Sequence, residues 1–258
     1  MKSGDIIDCG EGMWNIRGTY RIAGIVNVGT QASLIRLPSG RFIFLDSLTL
    51  EGDTLKRIME LTDNGKAVEA ILNCHPFHTL HCEWATKCFP SAKLYGSDRH
   101  KERMPHLHWE TDNVESDAVA RKYAEVLTFS LPRGVDYISA DEKVHFSSLL
   151  VRHEPSKTIH SDDTLTYLEL PFPLSLAKND SGIIFHPTLG KALQQRPGAG
   201  AEFHAWAEEM AERWADSACL CAAHNGVLRM APGEFETRVE AALGKVEPLL
   251  KAHDRDYA

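Results

Sequence analysis

Apolar and polar residues alternate with a period of two over the first part of the chain, which is the pattern of half-buried β-strands. The turn residues Pro38, Ser39 and Gly40 separate two such runs and predict a hairpin between them. The predicted strands are residues 13–17, 21–28, 32–37 and 41–46.

The pattern then switches between helical and strand periods. Apolar residues at helical spacing follow Asp53 or Thr54, either of which can cap the helix, and Asn64-Gly65 ends it. A strand at 68–72, a helix at 82–89 and a strand at 92–96 come next. This alternation predicts adjacent parallel strands joined by right-handed crossovers.

The second half of the chain repeats the change from β-rich to mixed pattern. We predict a helix from Ser116 to about Leu127, and antiparallel strands at 135–138 and 144–153. A short strand at 183–186, a helix beginning near 198–200, a strand at 218–223 and a last helix follow. The inward residues of the two long helices are predicted as Phe203, Trp206, Met210, Trp214, Phe235, Val239, Ala242, Val246 and Leu249. We therefore expect an α/β fold of two sheets packed face to face with helices outside, in one domain of residues 1–258.

Three histidines, His75, His78 and His81, recur every third residue between the strand at 68–72 and the helix at 82–89. Loops at the carboxyl ends of strands are where α/β proteins build their sites, and imidazole is the commonest protein ligand for a metal. The segment therefore predicts a metal site, with a solvated histidine-rich loop as the alternative.

Two later strands also end in groups that bind metals. The first leads to His153 and Asp163, and the second delivers His224 into a turn. Other residues keep two interpretations each. Asp46 forms a turn or orients a ligand, Cys74 and Cys82 are buried thiols or soft ligands, and the histidines of the polar segment 97–115, His100, His106 and His108, lie on a solvated loop or lid or bind a metal.

Composition indicates which classes of partner and which cell compartment to expect. A formal charge of -8 and a pI near 5.9 argue against nucleic acid as the main partner, so a small-molecule substrate fits better. Neither an apolar signal core nor an apolar run of about 20 residues is present, which predicts a cytoplasmic protein without a membrane partner. The six cysteines form no C-x-x-C pair and are expected to be reduced thiols.

The order of these segments resembles the metallo-β-lactamase-like superfamily, an αββα sandwich that binds one or two metals between its sheets. The resemblance covers nearly the whole chain. The spacing N-x-x-x-x-H-x-x-x-x-E-W from Asn73 to Trp84, and H-x-P-S-x-T from His153 to Thr158, are similar to an uncharacterised bacterial and plant branch of that superfamily.

The superfamily's motif H-x-H-x-D-H is matched in part. His78 and His81 stand at its second and last histidines, Pro76 stands at the first with His75 displaced by one, and Leu80 replaces the aspartate. The resemblance implies that His153, Asp163 and His224 are the remaining ligands. His75, His78 and His153 would then hold one ion and His81 and His224 a second, with Asp163 between them. Because leucine cannot ligate, a centre with one ion is the alternative.

The resemblance implies a metal-dependent hydrolase that uses a metal-activated water on a small molecule, with Asp163 as the catalytic residue that orients or deprotonates the water. The ligand set suits Zn²⁺ and also Mn²⁺ or Fe. Two alternatives remain open: an iron-dependent oxygen or redox enzyme, and a non-catalytic protein that binds a metal or a small molecule.

Overall fold

The computed structural model describes residues 4–22, 26–27, 29–167, 182–223 and 226–258. The chain divides into two compact units. Unit 1 consists of Met1–Phe129 and Val151–Ser156, and unit 2 consists of Ser130–Leu150 and Lys157–Ala258.

Unit 1 contains a mixed sheet of six strands in the order β1-β2-β5-β6-β7-β8. The strands up to β8 are Ile6–Gly10, Met13–Gly18, Arg21–Ile22, Val26–Asn27, Thr30–Arg36, Phe42–Leu45, Val68–Leu72 and Lys93–Tyr95. Two neighbouring strands follow, β9 (Leu127–Ser130) and β10 (Leu150–His153), and both run across the boundary between the units. The helices are α1 (Gly52–Leu61), α2 (Cys82–Cys88), α3 (Asp98–Arg103) and α4 (Asp117–Lys122).

The central part of this sheet confirms the sequence prediction. Strands β5 and β6 pair as an antiparallel hairpin, and β6, β7 and β8 pair in parallel. All three parallel strands are rich in buried apolar residues, and helices α1 and α2 connect them. As a result, the residues that follow β6, β7 and β8 all leave the same edge of the sheet.

Helix α1 packs on this sheet through its apolar face. Ile58 is fully buried, and Leu55, Met59 and Leu61 pack against the same core of unit 1. The helix begins at Gly52 and its N-cap is Glu51, so the predicted cap at Asp53 or Thr54 is wrong. The hydroxyl of Thr54 instead donates to the carbonyl of Gly4 at 2.7 Å, which ties the helix to the start of the chain.

Unit 2 contains a smaller mixed sheet, in which β14 pairs in parallel with β11 and antiparallel with β15. The strands of unit 2 are β11 (Thr158–Ser161), β12 (Leu165–Tyr167), β13 (Ile183–Phe185), β14 (Cys219–Ala222) and β15 (Gly226–Arg229), of which β12 and β13 pair with each other in a separate two-stranded sheet. Its helices are α5 (Leu189–Ala192), α6 (Ala199–Arg213) and α7 (Glu234–Asp256).

Aromatic side chains form the core of unit 2. Phe203 on α6 is fully buried, and its ring lies 5.1 to 5.7 Å from the rings of Phe146, Phe185 and Trp206. The carboxylate of Asp254 on α7 accepts hydrogen bonds from the first amides of α6, which satisfies two donors at the start of that helix. The predicted packing role of the α6 aromatics is confirmed.

Four other predictions of local structure are wrong. Residues 135–138 form no strand beyond an isolated bridge at Val135, and the strand predicted at 144–153 is limited to β10. The helix predicted to Leu127 ends at Lys122, and Leu249, which was predicted to face inward, is 41% exposed. Among the described residues, no helix is both long and apolar enough to cross a membrane.

Candidate metal centre

The candidate centre in unit 1 is a turn of residues 75–81, which we call the histidine turn. It leaves the end of β7 and leads into α2. Asn73 anchors its start, because its side-chain amide donates to the carbonyl of Tyr95 at 2.9 Å and accepts from Ser47 at 2.6 Å. The turn is therefore held against strands on both sides of β7.

Asp46 braces the same segment. Its carboxylate is buried and accepts a hydrogen bond of 2.8 Å from the amide of Cys74, the residue before His75. Asp46 has a φ of 61°, an uncommon conformation for a residue other than glycine. Backbone strain of this kind persists where the surrounding structure fixes it, often near functional sites. The carboxylate thus fixes the backbone next to His75, and a role of Asp46 in orienting a ligand stays a prediction.

The structure brings His75 and His78 together. Their rings stack with centroids 4.0 Å apart and an interplanar angle of 14°, and a ring nitrogen of one lies within 4.8 Å of a ring nitrogen of the other. His75 is fully buried and His78 is half-buried. Two imidazolium cations this close would repel each other strongly, so the stacked arrangement disfavours a pair in which both rings are charged.

His75 nevertheless has a constraint that the sequence did not reveal. Its Nδ1 accepts a hydrogen bond of 3.1 Å from the amide of Phe77. A neutral imidazole that accepts through Nδ1 carries its proton on Nε2. For His75 to bind an ion, its ring must turn or the Nε2 proton must leave.

His81, at the end of the histidine turn, has a different partner. Its Nδ1 lies 2.9 Å from the hydroxyl of Thr49. Burial lowers the pKa of His81, and the nearby His78 lowers it further, so the ring is neutral near pH 7. Leu80, at the position of the motif's aspartate, is 71% exposed and points away from the protein interior.

His153 ends β10 and is almost fully buried. Its Nδ1 lies 2.8 Å from the hydroxyl of Ser156, and its buried Nε2 has no hydrogen-bond partner among the described residues. Burial lowers the pKa of His153 to about 4, so this ring is also neutral near pH 7. Its environment therefore suits a metal ligand.

The structure decides between the two interpretations of the nearby cysteines. The thiol of Cys82 donates to the side chain of Asn73 at 3.4 Å, and burial raises its pKa to about 12. Cys74 donates to the carbonyl of Leu72 at 3.4 Å. Because a metal ligand must be a thiolate, these hydrogen-bonded thiols fit a packing role.

His100 lies on α3, a helix that the sequence analysis treated as part of a solvated loop. Its Nδ1 accepts from the amide of Ser97 at 3.1 Å and closes a capping box. Burial lowers its pKa to about 3, with smaller contributions from His75 and His78. His100 thus stabilises the start of α3, whereas His106 and His108 are exposed.

The aspartates Asp162 and Asp163 of unit 2 are both buried, and residues 162–164 form a bend. The role of Asp163 as a metal ligand stays a prediction. The carboxylate of Asp162 lies 3.9 Å from Nε2 of His160, which is also buried. Sequence analysis missed this pair, although His160 and Asp162 stand among the polar residues after His153. His224 lies outside the described residues.

Glu83 and Trp84, on helix α2, have structural roles. Glu83 is exposed and pairs with Lys87 one turn along α2 at 2.6 Å. Trp84 packs against the core of unit 1 and meets Phe89 edge to face.

Comparison with known proteins gave structural likenesses only. Neither a protein-family model nor a curated protein sequence matches the chain. Among solved structures, a metallo-β-lactamase from Erythrobacter litoralis is similar with a TM-score of 0.60 and 12% identity, over 93% of this chain and 96% of that one. A metallo-β-lactamase from Pontibacter korlensis gives a TM-score of 0.58 and 9% identity, over 93% and 98%. The mono-zinc form of FIM-1 from Pseudomonas aeruginosa, also a metallo-β-lactamase, gives 0.55 and 11%, over 94% and 95%.

Proposed function

We propose that this chain, which has the metallo-β-lactamase fold, is a metal-dependent hydrolase of a small-molecule substrate. As ligands of a first divalent ion we propose His75, His78, His153 and Asp163. His81 and His224 are the proposed ligands of a second ion that shares Asp163.

The observation that carries the proposal is the stacked pair of His75 and His78 at the carboxyl end of β7. Burying an imidazole removes it from water, and a protein accepts that cost where the ring has a partner or a ligand. The two rings have nitrogens within 4.8 Å of each other, and nitrogens this close can converge on one small cation once the His75 ring turns.

The other proposed donors fit the same chemistry. His153 is neutral, since its pKa is about 4, and the structure leaves its Nε2 without a hydrogen-bond partner among the described residues. Asp163 is buried, and a buried carboxylate is stabilised by a cation. When bound, a divalent ion would activate a water molecule and polarise a carbonyl or phosphoryl oxygen of the substrate.

Two aspartates of the chain would act as general base and as a support for the histidine turn. Asp163 is the proposed general base, because its carboxylate can accept a proton from the attacking water. Asp46 would hold the amide of Cys74 and so keep the histidine turn in position during turnover. Limited access of water to the buried histidines strengthens the electrostatic interactions among these groups.

We propose that the first ion is bound more tightly than the second. The residue that would supply a private carboxylate to the second ion is Leu80, which is aliphatic and exposed. FIM-1, one of the similar structures, was solved in a mono-zinc form, so this fold can hold a single ion. Zn²⁺ is the proposed metal, and Mn²⁺ or Fe would suit the same mixture of imidazole and carboxylate.

The absence of a carboxylate at Leu80 also favours a second candidate, a protein that binds a metal or small molecule without catalysis. In that case the chain would hold an ion and still hydrolyse nothing. An iron-dependent redox enzyme is the third candidate, and metal content separates it from the other two.

Elemental analysis combined with a substrate screen tests these candidates. The purified chain is stripped with a chelator, reloaded with Zn²⁺, Mn²⁺ or Fe²⁺, and assayed on β-lactams, lactones, thioesters and phosphodiesters. We expect about one equivalent of ion and a hydrolysis that the chelator abolishes and the ion restores.

Two variants sharpen this experiment. His78→Ala should lose the bound ion, whereas His108→Ala removes an exposed imidazole and should retain it. No bound ion in the wild type, or equal retention in both variants, would contradict the proposed site. Stoichiometric ion without any hydrolysis would favour the non-catalytic candidate.

A further inference from the structure

Ser156 lies between the buried His153 and the thioether of Met13. Its hydroxyl is 2.8 Å from Nδ1 of His153 and donates towards Sδ of Met13 at 3.7 Å. All three residues belong to unit 1. The hydroxyl therefore lies between one ring nitrogen of His153 and a sulfur that can only accept a hydrogen bond.

The direction of this short chain of contacts follows from the donors and acceptors available. A thioether has no proton, so the contact with Met13 uses the single proton of the Ser156 hydroxyl. The 2.8 Å contact with His153 admits either donor, and when the hydroxyl proton is directed at Met13 the oxygen of Ser156 accepts the Nδ1–H of His153. This arrangement places the ring proton on Nδ1 and leaves a lone pair on Nε2.

The opposite tautomer is less favourable at this site. It would place a buried N–H on Nε2 of His153, where no hydrogen-bond partner exists among the described residues. An orphaned buried N–H is rarer in proteins, and more costly, than an acceptor whose lone pair is unused. The local contacts thus favour the form of His153 that can bind a cation through Nε2.

His75 and His100 provide the contrast within the same unit. In both, Nδ1 accepts from a backbone amide, of Phe77 and Ser97 respectively, so the proton belongs on Nε2. The hydroxyl of Ser97 also lies 3.0 Å from Nδ1 of His100, but the amide at the same nitrogen excludes a proton there, even though Nε2 of His100 is buried. A backbone amide can only donate, whereas a hydroxyl can accept. The partner of Nδ1 therefore decides whether a buried histidine of this chain presents a donor or a lone pair at Nε2.

We propose that Ser156 is a positioning residue that fixes the tautomer and ring orientation of His153, so that Nε2 presents its lone pair to a divalent cation. The inference rests on the proposed function for the identity of the ligand, but the tautomer itself is independent of any ion. Ser156 acts through His153 and has no contact with substrate in this role.

The tautomer can be measured directly in the metal-free protein. Long-range proton–nitrogen NMR spectra of ¹⁵N-histidine-labelled protein distinguish the two tautomers by the shifts of Nδ1 and Nε2, and a His153→Gln variant assigns the His153 signals. The wild type should show His153 with its proton on Nδ1. Ser156→Ala should move the signals towards the other tautomer or a mixture, and Ser156→Thr, which keeps a hydroxyl, should restore the wild-type pattern.

The matched control is Thr128→Val. Thr128 donates to the carboxylate of Glu154, the residue after His153, and this substitution removes a neighbouring hydroxyl that does not contact the ring. The His153 signals should be unchanged in this variant. The same His153 tautomer in wild type and Ser156→Ala, or a wild type with its proton on Nε2, would overturn the proposal.

A Zn²⁺ titration of the same four proteins links the tautomer to ion binding. Ser156→Ala should weaken Zn²⁺ binding by about 10- to 100-fold, the usual cost of removing the partner of a ligating histidine, with Ser156→Thr and Thr128→Val near the wild type. If Ser156 controls the tautomer but no variant binds Zn²⁺, the proposed function fails and the positioning role stands. If Zn²⁺ binds but the tautomer of His153 is the same in wild type and Ser156→Ala, the positioning role fails and the proposed function stands.

Discussion

At the scale of single residues, the buried histidines differ in what their Nδ1 atoms contact. Nδ1 of His75 accepts a hydrogen bond from the backbone amide of Phe77. The ring proton then lies on Nε2, so Nε2 has no lone pair to offer a metal ion. We therefore expect His78→Ala to reduce Zn²⁺ affinity by more than His75→Ala does, although both rings belong to one stacked pair. A competition titration against a chromophoric chelator measures both affinities, and a larger loss for His75→Ala would contradict the prediction.

Glu115 offers a test of electrostatics away from the histidines. One of its carboxylate oxygens is buried with no hydrogen-bond partner among the described residues, and burial raises the pKa of the group. The folded protein therefore binds this proton more tightly than the unfolded chain does. Stability is lost as the pH rises from the usual value of 4.5 through the raised folded pKa.

The substitution Glu115→Gln removes the free-energy cost of burying a charged carboxylate. At pH 7 the variant should be more stable by about 0.5 kcal/mol, a small figure because water screens a half-buried carboxylate. Below the usual pKa of glutamate the gain should vanish, since both states of the wild type are then protonated. Urea unfolding at pH 7 and pH 4 measures the difference, and a gain of equal size at both values would refute the electrostatic explanation.

The sequence identifies the histidines of the candidate site but not the protonation and tautomer of each ring. The spacing of His75, His78 and His81 predicted the turn, and His153 was found because it ends an apolar strand. The tautomers depend on which amide or hydroxyl reaches each Nδ1, as Phe77 and Ser156 do, and these contacts appear only after folding.

At the scale of elements, helix α3 supports the histidine turn from one side. The guanidinium of Arg99 lies 4.2 Å from the centre of the Phe77 ring and donates to the carbonyl of Pro76 at 3.4 Å. Arg99→Ala should destabilise the protein by about 1 kcal/mol through loss of this cation–π contact. Hydrogen exchange at residues 75–81 should become faster.

The control for this variant is Arg57→Ala on α1, which removes an exposed arginine that pairs with Glu60 on the surface. Exposed pairs contribute little to stability, so exchange in the histidine turn should be unchanged. Equal acceleration in both variants would mean that α3 does not support the turn.

Periodicity predicted the long elements and some short ones, such as β8 and β13, but it missed helix α3 and wrongly predicted a strand at 135–138. Helix α6 was predicted because its aromatics recur at helical spacing over 15 residues. Helix α3 has six residues, all but one of them charged, so no apolar stripe marks it. The strand predicted at 135–138 has alternating residues but does not pair beyond one bridge, because pairing depends on distant partners that a local pattern cannot reveal.

At the scale of the whole molecule, the fold class is confirmed: the chain is an α/β protein of the metallo-β-lactamase sandwich type with two mixed sheets. Identities of 9 to 13% to the similar structures mean that few individual residues carry this likeness. The order of strands and helices, together with histidines at strand ends, made the fold predictable. Cytoplasmic location and the absence of a nucleic-acid partner remain predictions.

The single domain predicted from the sequence also remains a prediction, and the two compact units make it testable. The chain passes between the units three times, at Phe129, Leu150 and Ser156, and the first two passages fall inside strands β9 and β10. A strand pairs cooperatively along its length, so one unit is not expected to unfold while the other end of its strand stays paired. One domain therefore implies that a core mutation in either unit destabilises both.

Phe203→Leu in the core of unit 2 should lower the free energy of unfolding by about 1–2 kcal/mol, because it leaves a cavity among Phe146, Phe185 and Trp206. If the chain is one domain, native-state hydrogen exchange of the buried amides of β7 in unit 1 should lose the same free energy of protection as those of β14 in unit 2. Ile58→Val, in the core of unit 1, is the reciprocal variant and should reduce protection in β14 as well. Loss confined to the mutated unit in both variants would show that the units unfold separately, and the chain would then consist of two domains.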